Sequence, residues 1–371
     1  MPAMGDQPGI SRSPTASRLM SLDVFRGATI AGMILVNNPG DWQYVYPPFR
    51  HSAWNGWTYT DTIFPFFLWI VGVAMTFSFS KRLEHGQNRT SILIHVLQRV
   101  GIIIAIGLFL NGFPFGLISD HDFSWDTMRI PGVLQRIAIC YLFSSVIFLF
   151  TNRRWQLIWT VILLVGYWIL VKVVPVPGYG CGVLIPKGSL CWYVDSTLFG
   201  GHTWSGAPVQ GFDPEGIVST IPAIATTMFG ILTGTFLRSE RNSEEKAAWM
   251  FVAGCCLMFI GTIVGYWLPV NKNMWTSSYS VFMAGLALNV FAISYWIIDV
   301  KGFRKWSKPF EIYGLNAISL YVLSELLAEL LWVVTLHGSD GSSATLKGWY
   351  YQRIFLPLGD PMVASFLHSL V

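Results

Sequence analysis

Residues 50–75 read RHSAWNGWTYTDTIFPFFLWIVGVAM, and they decide the fold. From about residue 58 to residue 80 the chain stays mostly apolar, long enough for the roughly 20 residues that cross a bilayer as a helix. His51, Trp54, Asn55, Trp57 and Asp61 stand at its mouth. Interfacial anchoring accounts for the two tryptophans. It does not account for the histidine or the aspartate.

Working outward, runs of the same kind recur at 21–38, 93–112, 130–150, 156–174, 216–237, 248–268, 276–298 and 309–336. The chain is 53% hydrophobic, 15% aromatic and only 12% charged, too little charge for the surface of a soluble domain of this length. The expected class is therefore all-α, a polytopic membrane protein of about ten transmembrane helices. Nine spans are complete, and a tenth begins near Pro357 and is cut short at Val371. Residues 1–17 are polar, rich in Ser, Pro and Gly, and are expected to be a disordered tail with no cleaved signal peptide. Residues 18–371 form one transmembrane domain. Its single long loop, 175–215, is expected to cap one face.

Basic residues orient the chain. With the N-terminus in the cytoplasm, the loops on that side hold Arg12, Arg18, Lys81, Arg82, Arg89, Arg153, Arg154, Arg238, Arg241, Lys246, Lys301, Arg304, Lys305 and Lys308. The opposite side holds half as many: Arg50, Arg129, Lys172, Lys187, Lys272, Lys347 and Arg353. The net charge of +4 thus reflects topology and gives no case for nucleic-acid binding. Cys140, Cys255 and Cys256 lie in spans and read as small apolar residues. Cys181 and Cys191 share the outer loop, where an oxidising compartment favours a local disulfide. No Cys/His spacing marks a metal site. His85, His95, His121, His202, His337 and His368 are scattered and read as structural or solvated.

Charges inside spans are costly unless paired or facing a wet cavity, so each is informative. In SLDVFRG, Asp23 and Arg26 are three apart and share a helix face, as an ion pair at a helix start does. Arg99 lies at a similar depth, and two guanidinium forks at one level suit phosphate groups; snorkelling to lipid headgroups is the alternative. In WDTMRIPGVLQRIAICY, Pro131 fits a first helical turn and places Gln135 and Arg136 about one turn inside the membrane. Glu325, with Asn316, Ser324 and Glu329 nearby, makes the same argument for a cavity in the ninth span. On the outer side stand Asn37 and Asn38, then Asp213 and Glu215, which also read as helix capping, and then Asn271, Lys272, Asn273 and Trp275. The last group reads as a surface for a hydroxylated ligand such as a sugar. A histidine gains and loses a proton near neutral pH. His51 shares its boundary with Asn37, Asp61 and the entry to the Arg136 span, which together supply an acid to orient an imidazole and an amide to donate a hydrogen bond.

The segments RLMSLDVFRG, HSAWNGWTYTDTIFPFF, MRIPGVLQR, DPEGI and PVNKNMWTSSY together resemble the heparan-α-glucosaminide N-acetyltransferase family of membrane acyltransferases in its bacterial form, from about Arg18 to the ninth span. The resemblance implies an enzyme that takes an acetyl group from cytosolic acetyl-CoA and passes it to an amino sugar across the membrane, here a bacterial inner membrane. It makes His51 the active-site residue with Asn37 beside it, and matches Arg129 and Arg136 to the family's arginines. Asp61 completes the catalytic set. The donor set is Asp23, Arg26, Arg99, Arg129, Gln135, Arg136, Asn316, Ser324 and Glu325; the acceptor set is Trp54, Asn55, Asn271, Lys272, Asn273 and Trp275. Expected partners are acetyl-CoA, a glycan acceptor, the bilayer and a second copy of the chain. The sequence departs from the lysosomal enzyme, which has an N-terminal luminal domain and an extra helix. Its Asn37–His51 connection is also longer, which leaves the acceptor open.

Two mechanisms fit these residues: His51 as general base, or His51 acylated in a two-step transfer. Asn37 would hold the oxyanion in either. The competing readings are a membrane O-acyltransferase of surface polysaccharide and a transporter or flippase. Transporters commonly carry internal repeats, and this sequence has none.

Overall fold

The computed structural model describes residues 19–118, 123–337 and 343–371. The polar tail, Arg12, Arg18 and His121 lie outside the described residues.

The expected apolar runs are helices. They are α1 (Met20–Asn37), α2 (Thr60–Glu84), α3 (Arg89–Gly112), α4 (Val133–Phe150) and α5 (Arg153–Val173). After the long loop 175–215, which contains a short helix α6 (Leu190–Phe199), come α7 (Ile217–Leu237), α8 (Ser243–Val264) and α9 (Ser277–Tyr295). The chain is an all-α polytopic membrane protein. Among the described residues seven helices are long and apolar enough to cross a membrane, or eight if one bent pair is a single span. α1 is not among the seven, since Asp23, Arg26 and Asn37 dilute its 18 residues.

Turn chemistry sets several boundaries. Asn88, Asn152 and Asn242 cap α3, α5 and α8, each side-chain oxygen accepting from backbone N–H groups of the first turn. α7 and α2 form the centre of the bundle, 78% and 67% of their apolar windows being buried, whereas α5 and α8 reach only 22% and turn their faces to lipid. Glycine permits the central crossing. A Cβ on Gly72 of α2 would overlap the carbonyl of Thr227, and one on Gly230 of α7 would overlap that of Trp69. Around it packs a core of Leu68, Met75, Ile103, Leu134, Ile137, Met228 and Tyr279.

Two expectations need correction. The apolar run 309–336 is not one straight span. It breaks into α10 (Lys308–Leu315) and α11 (Ala317–Val333), bent by 73°. Gly314 of α10 lies against Gly27 of α1 so closely that neither position has room for a Cβ. Carbonyls at the break find new donors: the Arg26 guanidinium donates to Gly314 O at 3.1 Å and Asn316 Nδ2 to Ile312 O at 2.9 Å. Second, Cys181 is exposed, Cys191 is buried, and both are free thiols. After α11 a small hairpin forms, β1 (Thr335–His337) pairing antiparallel with β2 (Ser343–Thr345), and leaves the all-α class unchanged. Beyond the short α12 (Leu346–Tyr350), the final apolar run forms α13 (Pro361–Ser369), too short to cross a membrane. It docks on the turn after α1, where Gly40 N–H donates to Ser365 O at 3.1 Å.

The long loop 175–215 packs against the bundle. Val176, Leu190, Cys191 and Phe212 join Tyr167, Val171 and Val218 in a buried cluster of their own.

Candidate active site

The turn before α2 and the first turn of α2 build the centre of the site. Asp61 is the second residue of α2 and 1% exposed. Its Oδ1 lies 2.6 Å from His51 Nδ1. Its Oδ2 accepts from Ser52 N and Thr58 N, both at 3.0 Å, and from Thr58 Oγ1 at 3.1 Å. Tyr279 on α9 donates to the Asp61 carbonyl at 2.5 Å and fixes this turn from behind. An ionised carboxylate only accepts, so the network assigns the imidazole proton to Nδ1 and leaves the Nε2 lone pair free. The structure thus brings Asp61, expected from sequence to orient His51, into contact with the ring.

His51 lines a cavity of about 780 Å³, within the range of small-molecule sites. On α2 its lining runs from Thr60 to Phe79, about 28 Å of helix axis at 1.5 Å per residue, close to the roughly 30 Å of a hydrocarbon core. At the end assigned to the cytoplasm the walls include Arg26, Arg99, Asn316 and Ser319. Arg26 donates to Asp23 Oδ1 at 3.2 Å, and Arg99 lies over the Tyr141 ring at 5.4 Å. The middle is apolar, with Ile30, Phe67, Val71, Met75 and Ile103. Towards the outer end come Asn37, Tyr321, Glu325 and Glu329, and then His51, Arg129, Trp204, Glu215 and Lys272. Asn37 Nδ2 donates to Glu325 Oε1 at 3.5 Å.

The mouth at the His51 end is braced by ions. Arg129 donates from Nε and NH2 to the two Asp213 oxygens at 2.8 and 2.6 Å, and from NH2 to Glu215 Oε2 at 2.6 Å. This fork is the bidentate geometry that suits guanidinium to carboxylate. Burial alone would raise the Glu215 carboxyl, but Arg129 and Lys272 beside it hold it well below its ordinary value. Trp204, whose backbone N–H donates to Asp213, lies 5.7 Å from the Arg129 guanidinium.

Of the sequence-predicted residues, His51, Asn37, Arg26, Arg99, Arg129, Asn316, Glu325 and Lys272 line this one cavity. Others stand behind its walls. Arg136 is 1% exposed, donating to Gly216 O and Ser219 Oγ under the face of Trp275. Gln135 is buried beside it, Asp23 supports Arg26, and Ser324 bonds back to Tyr321 O. The polar PVNKNMW loop is a brace more than an open surface. Asn271 Nδ2 donates to Asn55 Oδ1 at 3.2 Å, Gly56 N–H to Val270 O at 2.7 Å, and Trp275 is fully buried. Trp54 donates to Leu184 O at 2.8 Å and pins the long loop. Asn273 is half-buried and is not part of the cavity wall. Among the scattered histidines, His85, His95, His202 and His368 each hydrogen-bond a backbone carbonyl.

The sequence reading missed Trp204, Tyr321 and Asn111. Tyr321 had a signal, since it precedes Glu325 by four residues and so shares its helix face. Trp204 had only its place in an aromatic loop. Asn111 holds the α3–α4 connection, donating to Arg129 O at 2.9 Å and Pro131 O at 3.0 Å.

Residues 18–268 match the family model described as heparan-alpha-glucosaminide N-acetyltransferase, catalytic. Two curated relatives are similar over 88% of the chain, each at 30% identity: heparan-alpha-glucosaminide N-acetyltransferase of Mus musculus and that of Homo sapiens. The chain spans about half the length of these relatives, 56% of each.

Proposed function

The chain belongs to the heparan-α-glucosaminide N-acetyltransferase family, and on that premise we propose that it carries an acetyl group across the membrane, from cytosolic acetyl-CoA to the amine of an amino sugar on the outer side. The observation that supports this most is one cavity with two arginines at one end and the His51–Asp61 pair at the other.

Charge assigns the ends. The nucleotide part of CoA is polyanionic and does not enter hydrocarbon, so it stays at Arg26 and Arg99. The slim pantetheine arm follows the apolar middle, which brings the thioester to His51. The amine nitrogen then attacks the thioester carbonyl carbon while His51 Nε2 takes a proton from that nitrogen. Asp61 steadies the imidazolium. Asn37 Nδ2 has one N–H engaged by Glu325 and a second to offer the oxyanion. The carbon–sulfur bond breaks, and the imidazolium returns its proton to the leaving thiolate.

Purified protein should release CoA from acetyl-CoA only when glucosamine is present, and His51→Ala should abolish the release. Stoichiometric CoA release without acceptor, together with label on His51, would replace direct transfer with an acyl-histidine route.

A further inference from the structure

The proposed reaction leaves one proton unassigned. An amino-sugar amine arrives largely protonated near neutral pH, as α-amino groups do. An ammonium must lose one proton before its nitrogen can attack, and the attacking nitrogen must lose a second. His51 carries only the second.

Glu325 stands where the first would go. α11 turns Ile318, Tyr321, Glu325 and Glu329 into the cavity that His51 also lines. Among the described residues no lysine or arginine pairs with Glu325; its hydrogen-bond partner is the neutral amide of Asn37. A carboxylate within a membrane span is costly without a counter-charge, and Glu325, with Glu329 one turn further along the same wall, is placed to receive a cation. The cavity also sorts its charge. The cytoplasmic end is cationic, with Arg26 and Arg99. At the other end the two anions Glu215 and Asp213 are already matched by Arg129, which pairs with both, and by Lys272 beside Glu215. Glu325 lies between them and is joined to the amide proposed to hold the oxyanion, so a cation held there lies next to the thioester carbonyl.

We propose that Glu325 is the acceptor-recognition residue: its carboxylate binds the primary ammonium of the amino sugar and takes the proton that group sheds before attack. The inference rests on the acetyl-transfer reading above. In balance, the ammonium gives one proton to Glu325, which releases it to the outer solvent. The nitrogen's second proton passes through His51 to sulfur. The products are an amide, a thiol and one free proton. It follows that the enzyme prefers amines to hydroxyl acceptors, which bring no charge for Glu325 to hold.

Two substitutions separate charge from shape. Glu325→Gln keeps the size and the acceptor for Asn37 but removes the charge; Glu325→Asp keeps the charge and shortens the arm. Glucosamine KM and acetyl-CoA Kd would be measured on full-length wild type and both variants. The expected result is a glucosamine KM raised about tenfold or more in E325Q, a smaller rise in E325D, and CoA affinity within about twofold throughout. A merely structural role gives the reverse order, with E325Q milder than E325D. That order, or an unchanged KM in E325Q with wild type active, overturns the inference and leaves the acetyl-transfer reading standing. A wild type inactive towards glucosamine overturns both. If E325Q does not fold, E325D decides alone: a glucosamine KM raised about two- to tenfold with acetyl-CoA affinity kept supports the role, and either no rise or a larger one opposes it.

Discussion

Asp61→Asn tests the proposed catalytic pair at its most specific point. The Asp61 carboxylate accepts at four places, three of them on Oδ2. An asparagine has a single oxygen, and the two backbone N–H groups of Ser52 and Thr58 will claim it. Its NH2 group then faces His51 Nδ1 and forces that nitrogen to accept. The ring proton moves to Nε2, and the base is lost although no atom has been removed. A hydrogen bond to a charged group contributes about 1.5–3 kcal/mol. The imidazolium that forms in the reaction also loses a neighbouring charge, worth at most about 4 kcal/mol at 4 Å in a surface-like dielectric. Since half of the His51 side chain is exposed, solvent screens part of that. A total of about 2–4 kcal/mol corresponds to a loss of about 30- to 1,000-fold in rate. Glucosamine-dependent CoA release, followed in D61N, H51A and the double variant, reads it directly. Groups that act as a unit are not additive, so D61N should cost nothing further in the H51A background. A D61N enzyme within threefold of wild type, folded and monodisperse, would refute the pairing.

Three further outcomes follow from other parts of the molecule. Arg99→Ala should raise the KM for acetyl-CoA about tenfold and leave that for glucosamine unchanged; equal effects on both would remove Arg99 from the donor end. Gly230→Ala, which drives a methyl group into the Trp69 carbonyl, should cost about 1–3 kcal/mol and show as a lower melting temperature in detergent. Burial raises the Asp195 carboxyl from 3.8 to about 7. The folded state therefore binds more protons than the unfolded state between those values, and stability falls as pH rises from about 4 to about 7, by up to about 4 kcal/mol. Asp195→Asn should melt above wild type at pH 8 and converge with it near pH 4. Parallel curves would exclude this.

Much of the bundle was legible because lipid imposes a simple rule on length and composition. Eight of the nine expected spans correspond to unbroken helices, with boundaries moved by a few residues. The ninth was not legible as a broken helix. Its apolar run is continuous, and beside the break Gly314 packs against Gly27 nearly three hundred residues earlier, a contact no local pattern shows. The site divides in the same way. His51 and Asp61 lie ten residues apart and flank one helix start, so local reasoning brought them together. Asn55, Asn271 and Trp275 looked like a ligand surface because composition cannot distinguish a polar group that meets solvent from one that meets another loop; in the fold they meet each other or the core. Arg136 carries a related lesson. Its depth suggested a wet cavity, yet it is satisfied in part by a carbonyl at the start of α7 and the face of an indole.

The central claim is that donor and acceptor enter from opposite sides of one cavity. Proteoliposomes of fixed orientation, with acetyl-CoA only on the side bearing the cytoplasmic loops and glucosamine only on the other, test it most directly. The account predicts that N-acetylglucosamine accumulates on the glucosamine side and that the signal disappears with His51→Ala. Product formed only when both substrates share one side would contradict it.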